Sequence, residues 1–424
     1  FKRNALPFCP GIIHILNRHI SVNRFPIHCI RSIRRFFWFI QQVEHLGQRR
    51  AWLALSQVML IISLSGMAFS NPQTHMPQIV AFALLTAFCS ATQDISLDAY
   101  RIESASADLQ GALAATYQTG YRLAMIWAGA GAFALAAFFQ STPSGIYDQT
   151  GWTWAYLIMA ASISVGLATT LLSPAPNASD EESKLRQLEE MRHHVHAFIL
   201  RHPSLPRSIA KVVGWFGFVC VRPIADFFYR YRWHALAILL LIATYRISDV
   251  VMGVMSNPFY RDMGFTKEEV AAVSKIFGVV MTLVGTFIGG IVVLRIGILK
   301  TLLVGALLSA GTNLLFSALA AIGHSLPFLV FTVSADNLSG GLASAAFIAY
   351  LSGLTNVQYS ATQYAVFSSI MLILPKFLAG FSGVLVESVG YSNFFILTAA
   401  LGIPVLVLIP IIGYLSRQQG SDKN

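Results

Sequence analysis

Residues 77–103 read PQIVAFALLTAFCSATQDISLDAYRIE. An apolar run leads straight into Asp94, Asp98, Arg101 and Glu103. Asp98 lies four residues after Asp94, and Arg101 three further on. At about 100° per residue all three fall on one helical face. The stretch therefore reads as one charged stripe on an otherwise apolar helix. The surroundings of that helix decide what the stripe does.

Composition supplies those surroundings. The chain has 424 residues, 55% of them hydrophobic and only 11% charged, with a mean hydropathy of +0.62. Soluble domains carry roughly 25% charged residues, so the sequence predicts an integral membrane protein. Long apolar runs without ten-residue alternating segments favour a helical bundle over a barrel. The net charge of +10 does not point to nucleic acid, because the basic residues gather at the ends of apolar runs and in one linker. Cys9, Cys29, Cys89 and Cys220 have no metal-binding or redox spacing. No metal site is expected.

A span-length window predicts about ten membrane helices, at 51–70, 77–100, 108–140, 151–173, 233–256, 268–294, 298–322, 326–354, 360–388 and 391–415. The polar stretch 174–232 separates the first four from the rest. Its middle, EESKLRQLEEMRHHVHAFILR, fits an amphipathic helix on a membrane surface or a short helix in a solvated tether. Arg49 and Arg50, the linker basic residues, Arg295 with Lys300, and Arg417 with Lys423 all fall on one side if every span crosses. The opposite loops contain only Arg261 and Lys267 as exceptions. The basic side is predicted to be cytoplasmic, which places the linker and the C-terminus there. The expected division is 1–45 as an atypical segment, 46–173 as a first bundle, 174–232 as a cytoplasmic linker, 233–416 as a second bundle and 417–424 as a tail. Residues 1–45 are rich in Arg and His, contain no span-length apolar run and open with Phe. A transit peptide has a similar composition; the favoured reading is translation from a shifted frame.

Several motifs carry a resemblance. GGIVVLRIGILK, 289–300, resembles the Gly/basic loop that the major facilitator superfamily repeats in each half, through Gly290, Arg295, Gly297 and Lys300. LGQRR, 46–50, resembles the tail of the first-half copy. SATQDISLDAYRIE (90–103), GYRLAM (120–125), YRISDVVMGVMSNPFYRDMGFTKEEV (245–270), DNLSGGLASAAFIAYLSGLTN (336–356) and TQYAVFSSIMLILPKFLAG (362–380) resemble the AmpG family of muropeptide permeases. The resemblance runs from about residue 46 to 416, with motifs in the family's order and spacing. It implies an all-α fold of two helical bundles, with about 10 of an expected 12 spans recognisable. It also implies import of anhydromuropeptides (GlcNAc-1,6-anhydroMurNAc peptides) across the bacterial inner membrane in symport with protons. Cell-wall recycling and β-lactamase induction would follow. The proton gradient would be the energy source, with no cofactor. The bilayer, the muropeptide and protons would be the partners, and the carrier would act as a monomer. Residues 1–45 stand where that family has its first two helices.

A symporter for such a solute needs a wet cavity with hydrogen-bonding groups and cations, and at least one intramembrane carboxylate that gains and loses a proton. Asp94, Asp98 and Asp336 are the candidates for proton coupling or gating; Asp98 with Arg101 fits a structural lock equally well. Gln93, Tyr121, Arg122, Arg246, Asp249, Asn337, Gln363 and Lys376 are the candidates for substrate binding. Each has a structural alternative: an ion pair for Arg122, an intrahelical pair for Arg246 and Asp249, and polar helix–helix contacts for the amides. Lys376 follows Pro375, where a kink beside a charge suggests a cavity wall. No catalytic or nucleotide motif is present, so an enzyme is not expected. The competing readings are a carrier for another anionic solute and a non-functional remnant lacking two helices.

Overall fold

The computed structural model describes residues 48–106, 109–141, 149–174 and 181–421, all of the regular structure within them being helical. The expected atypical segment 1–45 lies outside the described residues. The first bundle is α1 (Gln48–Ala68), α2 (Met76–Glu103), α3 (Gln110–Phe138) and α4 (Gln149–Leu172). Two helices follow, α5 (Glu181–Arg201) and α6 (Arg207–Tyr231). The second bundle is α7 (His234–Asp262), α8 (Val279–Ile296), α9 (Ile298–Ile322), α10 (Leu326–Leu354), α11 (Ser360–Ala379), α12 (Ser382–Ala400) and α13 (Ile403–Ser421).

Among the described residues, ten helices are long and apolar enough to cross a membrane. The set differs from the sequence reading in two places. Arg207–Tyr231 qualifies, inside the expected linker. Leu326–Leu354 does not qualify, because Asp336, Asn337 and its many small residues dilute its hydropathy. Yet α10 is the most deeply packed helix of the second bundle, with buried residues along most of its length. Small residues permit that depth. A Cβ on Gly285 of α8 would meet the Leu338 carbonyl oxygen at 2.0 Å, and one on Gly341 of α10 would meet that of Thr282 at 2.3 Å. Such close backbone approach replaces hydrophobic drive, which lipid cannot supply between helices.

Gly390 (φ 76°, ψ 165°) breaks α12. The preceding turns extend α11 through Gly380 and Phe381, both in helical conformation. The following residues run into α13. This division matches the sequence boundaries at 360–388 and 391–415.

The bundles meet along two seams. On one, α3 packs against α8 and α10; on the other, α2 packs against α11. At the first seam a Cβ on Gly290 would lie 2.7 Å from that of Ala115, and one on Gly111 2.6 Å from Val293 Cγ1. Gly290 of the Gly/basic loop therefore allows the bundles to touch, while Gly297 (φ 86°) turns the chain from α8 into α9. Arg295 and Lys300 stay exposed beside that turn. Beside the second seam, Ile95, Ala361, Ala365, Val366, Ile370 and Ile373 help line an open groove of about 510 Å³.

Hydrogen bonds gather particular helix ends on one face. Arg50 of α1 donates to the carbonyls of Thr170 and Leu171 in α4, at 3.0 and 2.5 Å. The Tyr100 hydroxyl donates to the Pro174 carbonyl (2.8 Å). Arg49 reaches Ser360 of α11 (3.1 Å), and Arg230 reaches the Leu354 carbonyl of α10 (3.2 Å). The turn carrying Arg295 and Lys300 lies at this end too, since α9 runs antiparallel to its partner α10. We call it the basic face.

Candidate functional site

Two polar clusters interrupt the apolar packing. The first closes the basic face between the bundles. Arg101 is 5% exposed, although it stands on an apolar helix, because three partners from other helices receive it. Its Nη1 donates to Ser352 Oγ of α10 at 2.9 Å. Its guanidinium lies 5.3 Å from the ring centres of Tyr117 in α3 and Tyr364 in α11. Its Nη2 lies 3.4 Å from Asp98 Oδ1. Two residues on, Glu103 accepts from Arg49 (2.8 Å) and from the Ser360 hydroxyl (2.5 Å). The charged stripe on α2 is thus a latch between bundles, held in part by hydroxyls of α10 and α11. Asp94, one turn earlier, is exposed and stands within electrostatic reach of Asp98. The Gln93 side-chain oxygen is buried with no hydrogen-bond partner among the described residues.

The second cluster lies within the second bundle and faces the first. Helix α7 is interrupted at Arg246 (φ −95°, ψ 4°), which ends its first segment and precedes the second. Arg246 Nη1 donates to Ser344 Oγ of α10 (2.6 Å), and its Nε lies 3.8 Å from Asp249 Oδ2. The Ser309 hydroxyl of α9 donates to Asp249. One turn further along α9, the Thr312 hydroxyl donates to Asp336 of α10 (3.1 Å). The two carboxylates are close enough to influence each other. Across the seam, Arg122 of α3 lies within electrostatic range of Arg246. Its Nε is buried with no hydrogen-bond partner among the described residues. Tyr121, beside it, is 55% exposed.

The remaining candidates make other contacts. Asn337 accepts from the Thr282 hydroxyl (2.9 Å) and donates to the Val333 carbonyl (2.8 Å), a helix–helix contact. Gln363 donates to Asp226 (3.0 Å) and to the Pro223 carbonyl (2.8 Å). It also accepts from Arg230 (3.0 Å), so its amide ties α6 to α11. Lys376 is exposed near the far end of α11, with no ion pair among the described residues. The side chain of Lys275, an ionisable group in the turn before α8, lies outside the described residues.

Sequence reasoning did not single out Ser309, Thr312, Ser344, Ser352, Ser360 or the two tyrosines around Arg101. Serines and threonines inside apolar runs read as packing residues, because their own helix carbonyls satisfy them. The available signal was their alignment with a charge on the neighbouring helix, which needs the three-dimensional pairing.

No family model matches the chain. The anhydromuropeptide permease of Escherichia coli K12 is 31% identical over 364 residues, covering 86% of this chain and 66% of that protein. The Rickettsia felis protein named AmpG 4 is 29% identical over 363 residues, covering 86% of this chain and 79% of that one. The chain belongs to the AmpG family. AmpG relatives are transporters by name, and this AmpG-family chain is a multi-pass membrane protein of the same kind. Solved transporter structures share its fold. A double-tryptophan variant of XylE superposes with a TM-score of 0.61 at 13% identity, covering 88% of this chain and 81% of that one. The human organic anion transporter MFSD10 does so with 0.54 at 14% identity, covering 85% and 77%.

Proposed function

We propose that this chain imports anhydromuropeptides across the bacterial inner membrane in symport with protons, feeding cell-wall recycling and the β-lactamase induction signal. The observation that carries this reading is the buried Arg122 Nε of the first bundle, with no hydrogen-bond partner among the described residues, together with the Arg246 cluster of the second bundle. A buried guanidinium nitrogen without a partner is costly, and a bound carboxylate would supply the missing acceptor. A muropeptide brings carboxylates on its peptide and hydroxyls on its sugars. A solute held by one arginine from each bundle also links binding to the relative position of the bundles, as alternating access requires.

The proton path in this reading uses Asp336 and Asp249. A charge inside a span is costly unless paired or facing a cavity; Asp249 pairs with Arg246, and hydroxyls of α9 bond both carboxylates. Asp94, exposed at the seam, is the second candidate. The latch at Arg101 and Glu103 closes the basic face, so the conformation described here is the one shut on that side. In the proposed orientation the basic face is cytoplasmic, as are the stretch 174–232 and the C-terminus.

The test is uptake of labelled anhydromuropeptide by a bacterium lacking its own permease and expressing this chain. A second strain carries the chain with residues 1–45 replaced by the first two helices of an intact relative. Uptake in either strain supports the reading. Insertion of both chains without uptake in either overturns it and favours a different anionic solute.

A further inference from the structure

The helices α5 and α6 are not used by the transport reading. They form an antiparallel hairpin with matched register. Glu190 pairs with Arg222 (2.8 Å), the His194 ring lies 5.8 Å from that of Phe218, and Phe198 packs against Gly214. Both ends of the hairpin segment are tied to the basic face, through Pro174 at the start and Arg230 at the end. A segment that leaves and returns to one face crosses a membrane an even number of times. Helix α5, EESKLRQLEEMRHHVHAFILR, carries too many charges to cross. Helix α6 therefore does not cross either, despite its length and hydropathy.

Its faces show what it does instead. Ala210, Gly214 and Phe218 are buried, and the latter two turn toward α5. On the opposite side Ile209, Val212, Val213, Trp215 and Phe216 are exposed, each by at least 42%. A stripe of that size on a helix so divided fits immersion at a lipid interface. Arg207 and Lys211 fall in the same helical row as Gly214 and Phe218 and are exposed at the turn end of the hairpin, and Arg201 and Arg232 mark the hairpin's turn and its far end. All four are exposed and have no ion pair among the described residues. Trp233, 91% exposed, stands just before helix α7, a position that aromatic residues favour at the headgroup level.

We infer that the hairpin Glu181–Tyr231 is a membrane-surface module that buries the Ile209–Phe216 stripe in the interface and binds anionic lipid headgroups through Arg201, Arg207, Lys211 and Arg232. Basic residues near an anionic surface each add roughly fivefold to its attraction. The apolar stripe sets the depth, and the charges set the lipid preference. Through Gln363, bonded to Asp226 and Arg230, the module is anchored to the same turn of α11 that holds the Arg101 latch.

The test uses the full chain with its four native cysteines replaced by alanine and a spin label at Phe216→Cys or at Arg192→Cys on α5. The protein is reconstituted into phosphatidylcholine vesicles with or without phosphatidylglycerol. Collisions with oxygen report lipid, and collisions with a nickel chelate report water. The inference expects oxygen collisions at 216, nickel collisions at 192, and a deeper label at 216 when phosphatidylglycerol is present. The R207E/K211E variant should lose the lipid dependence and keep the Arg230–Gln363 joint. Nickel access at 216 overturns the inference, and so does burial of both labels in lipid, which would mean crossing. Exclusion of both reagents at 216 overturns it in favour of a covering protein. Equal depth in both lipids overturns the headgroup assignment.

Discussion

Replacing Arg101 with glutamine should open the basic face. In the latched state Arg101 makes a charged hydrogen bond to Ser352 and covers the Tyr364 ring, both across the seam. Its contacts with Asp98 and Tyr117 stay within the first bundle and survive separation. A hydrogen bond to a charged group contributes about 1.5–3 kcal/mol, and a cation–π contact about 0.5–2 kcal/mol. Water recovers part of both when the face opens. A net cross-seam contribution of about 2 kcal/mol is reasonable, which is roughly a 30-fold change in the closed-to-open ratio. Spin labels at Ser106→Cys and Lys300→Cys, one on each bundle, read that ratio as two distances by pulsed electron resonance. The variant should gain a long-distance population. Since Arg101→Gln leaves Asp98 unpaired, the D98N/R101Q double variant should show the same opening. Ser352→Ala should open the face less, and its effect should not add to that of Arg101→Gln. An unchanged distance distribution in a folded R101Q protein refutes the latch and leaves Arg101 as packing.

Three further outcomes follow from the same geometry. Gly285→Ala places a Cβ against the Leu338 carbonyl at 2.0 Å, so thermal unfolding in detergent should show a loss of about 1–3 kcal/mol or more; an unchanged midpoint contradicts the close packing of α8 on α10. Asp336→Asn should abolish proton-driven accumulation while sparing exchange down a substrate gradient, and Asp94→Asn should do so if the seam carboxylate carries the proton; full accumulation by both variants rules out the proposed path. Glu269, outside the spans, has its carboxyl held below the usual range, first by the Thr266 backbone N–H and further by His324. A depressed folded-state value stabilises the helix cap at pH above the ordinary carboxylate range and loses that effect as pH falls through the folded value. Hydrogen-exchange protection at Lys267–Ala272, taken relative to the intrinsic rate at each pH, should accordingly fall in acid, and Glu269→Gln should remove that pH dependence.

Much of the fold was legible in the sequence. The apolar runs and the Gly390 turn define the helices, and the Gly/basic loop marks where α8 turns into α9. The hydropathy of α6 was harder to interpret, because an amphipathic surface helix and a spanning helix can have the same average. What separates them is the anchoring of both hairpin ends to one face, a tertiary fact. The site was legible in its charges and not in their partners. Asp98 and Arg101 share a helical face as their spacing requires, and Arg246 and Asp249 stand together as an i,i+3 pair. Gln363 and Asn337 looked equally suitable for sugar hydroxyls, yet neighbouring helices take up their amides. The hydroxyls of Ser309, Thr312 and Ser352 gain their meaning only from the charge that packing brings opposite them.

The central claim is that arginines from both bundles hold an anionic muropeptide while protons drive it inward. The most direct measurement is accumulation of labelled anhydromuropeptide in membrane vesicles under an imposed proton gradient, comparing the chain whose residues 1–45 are replaced by the first two helices of a relative with its R122Q and R246Q variants. The account predicts accumulation that a protonophore collapses and that each variant loses, with restoration of neither by a steeper gradient. Equal accumulation by the variants, or accumulation indifferent to the protonophore, contradicts it.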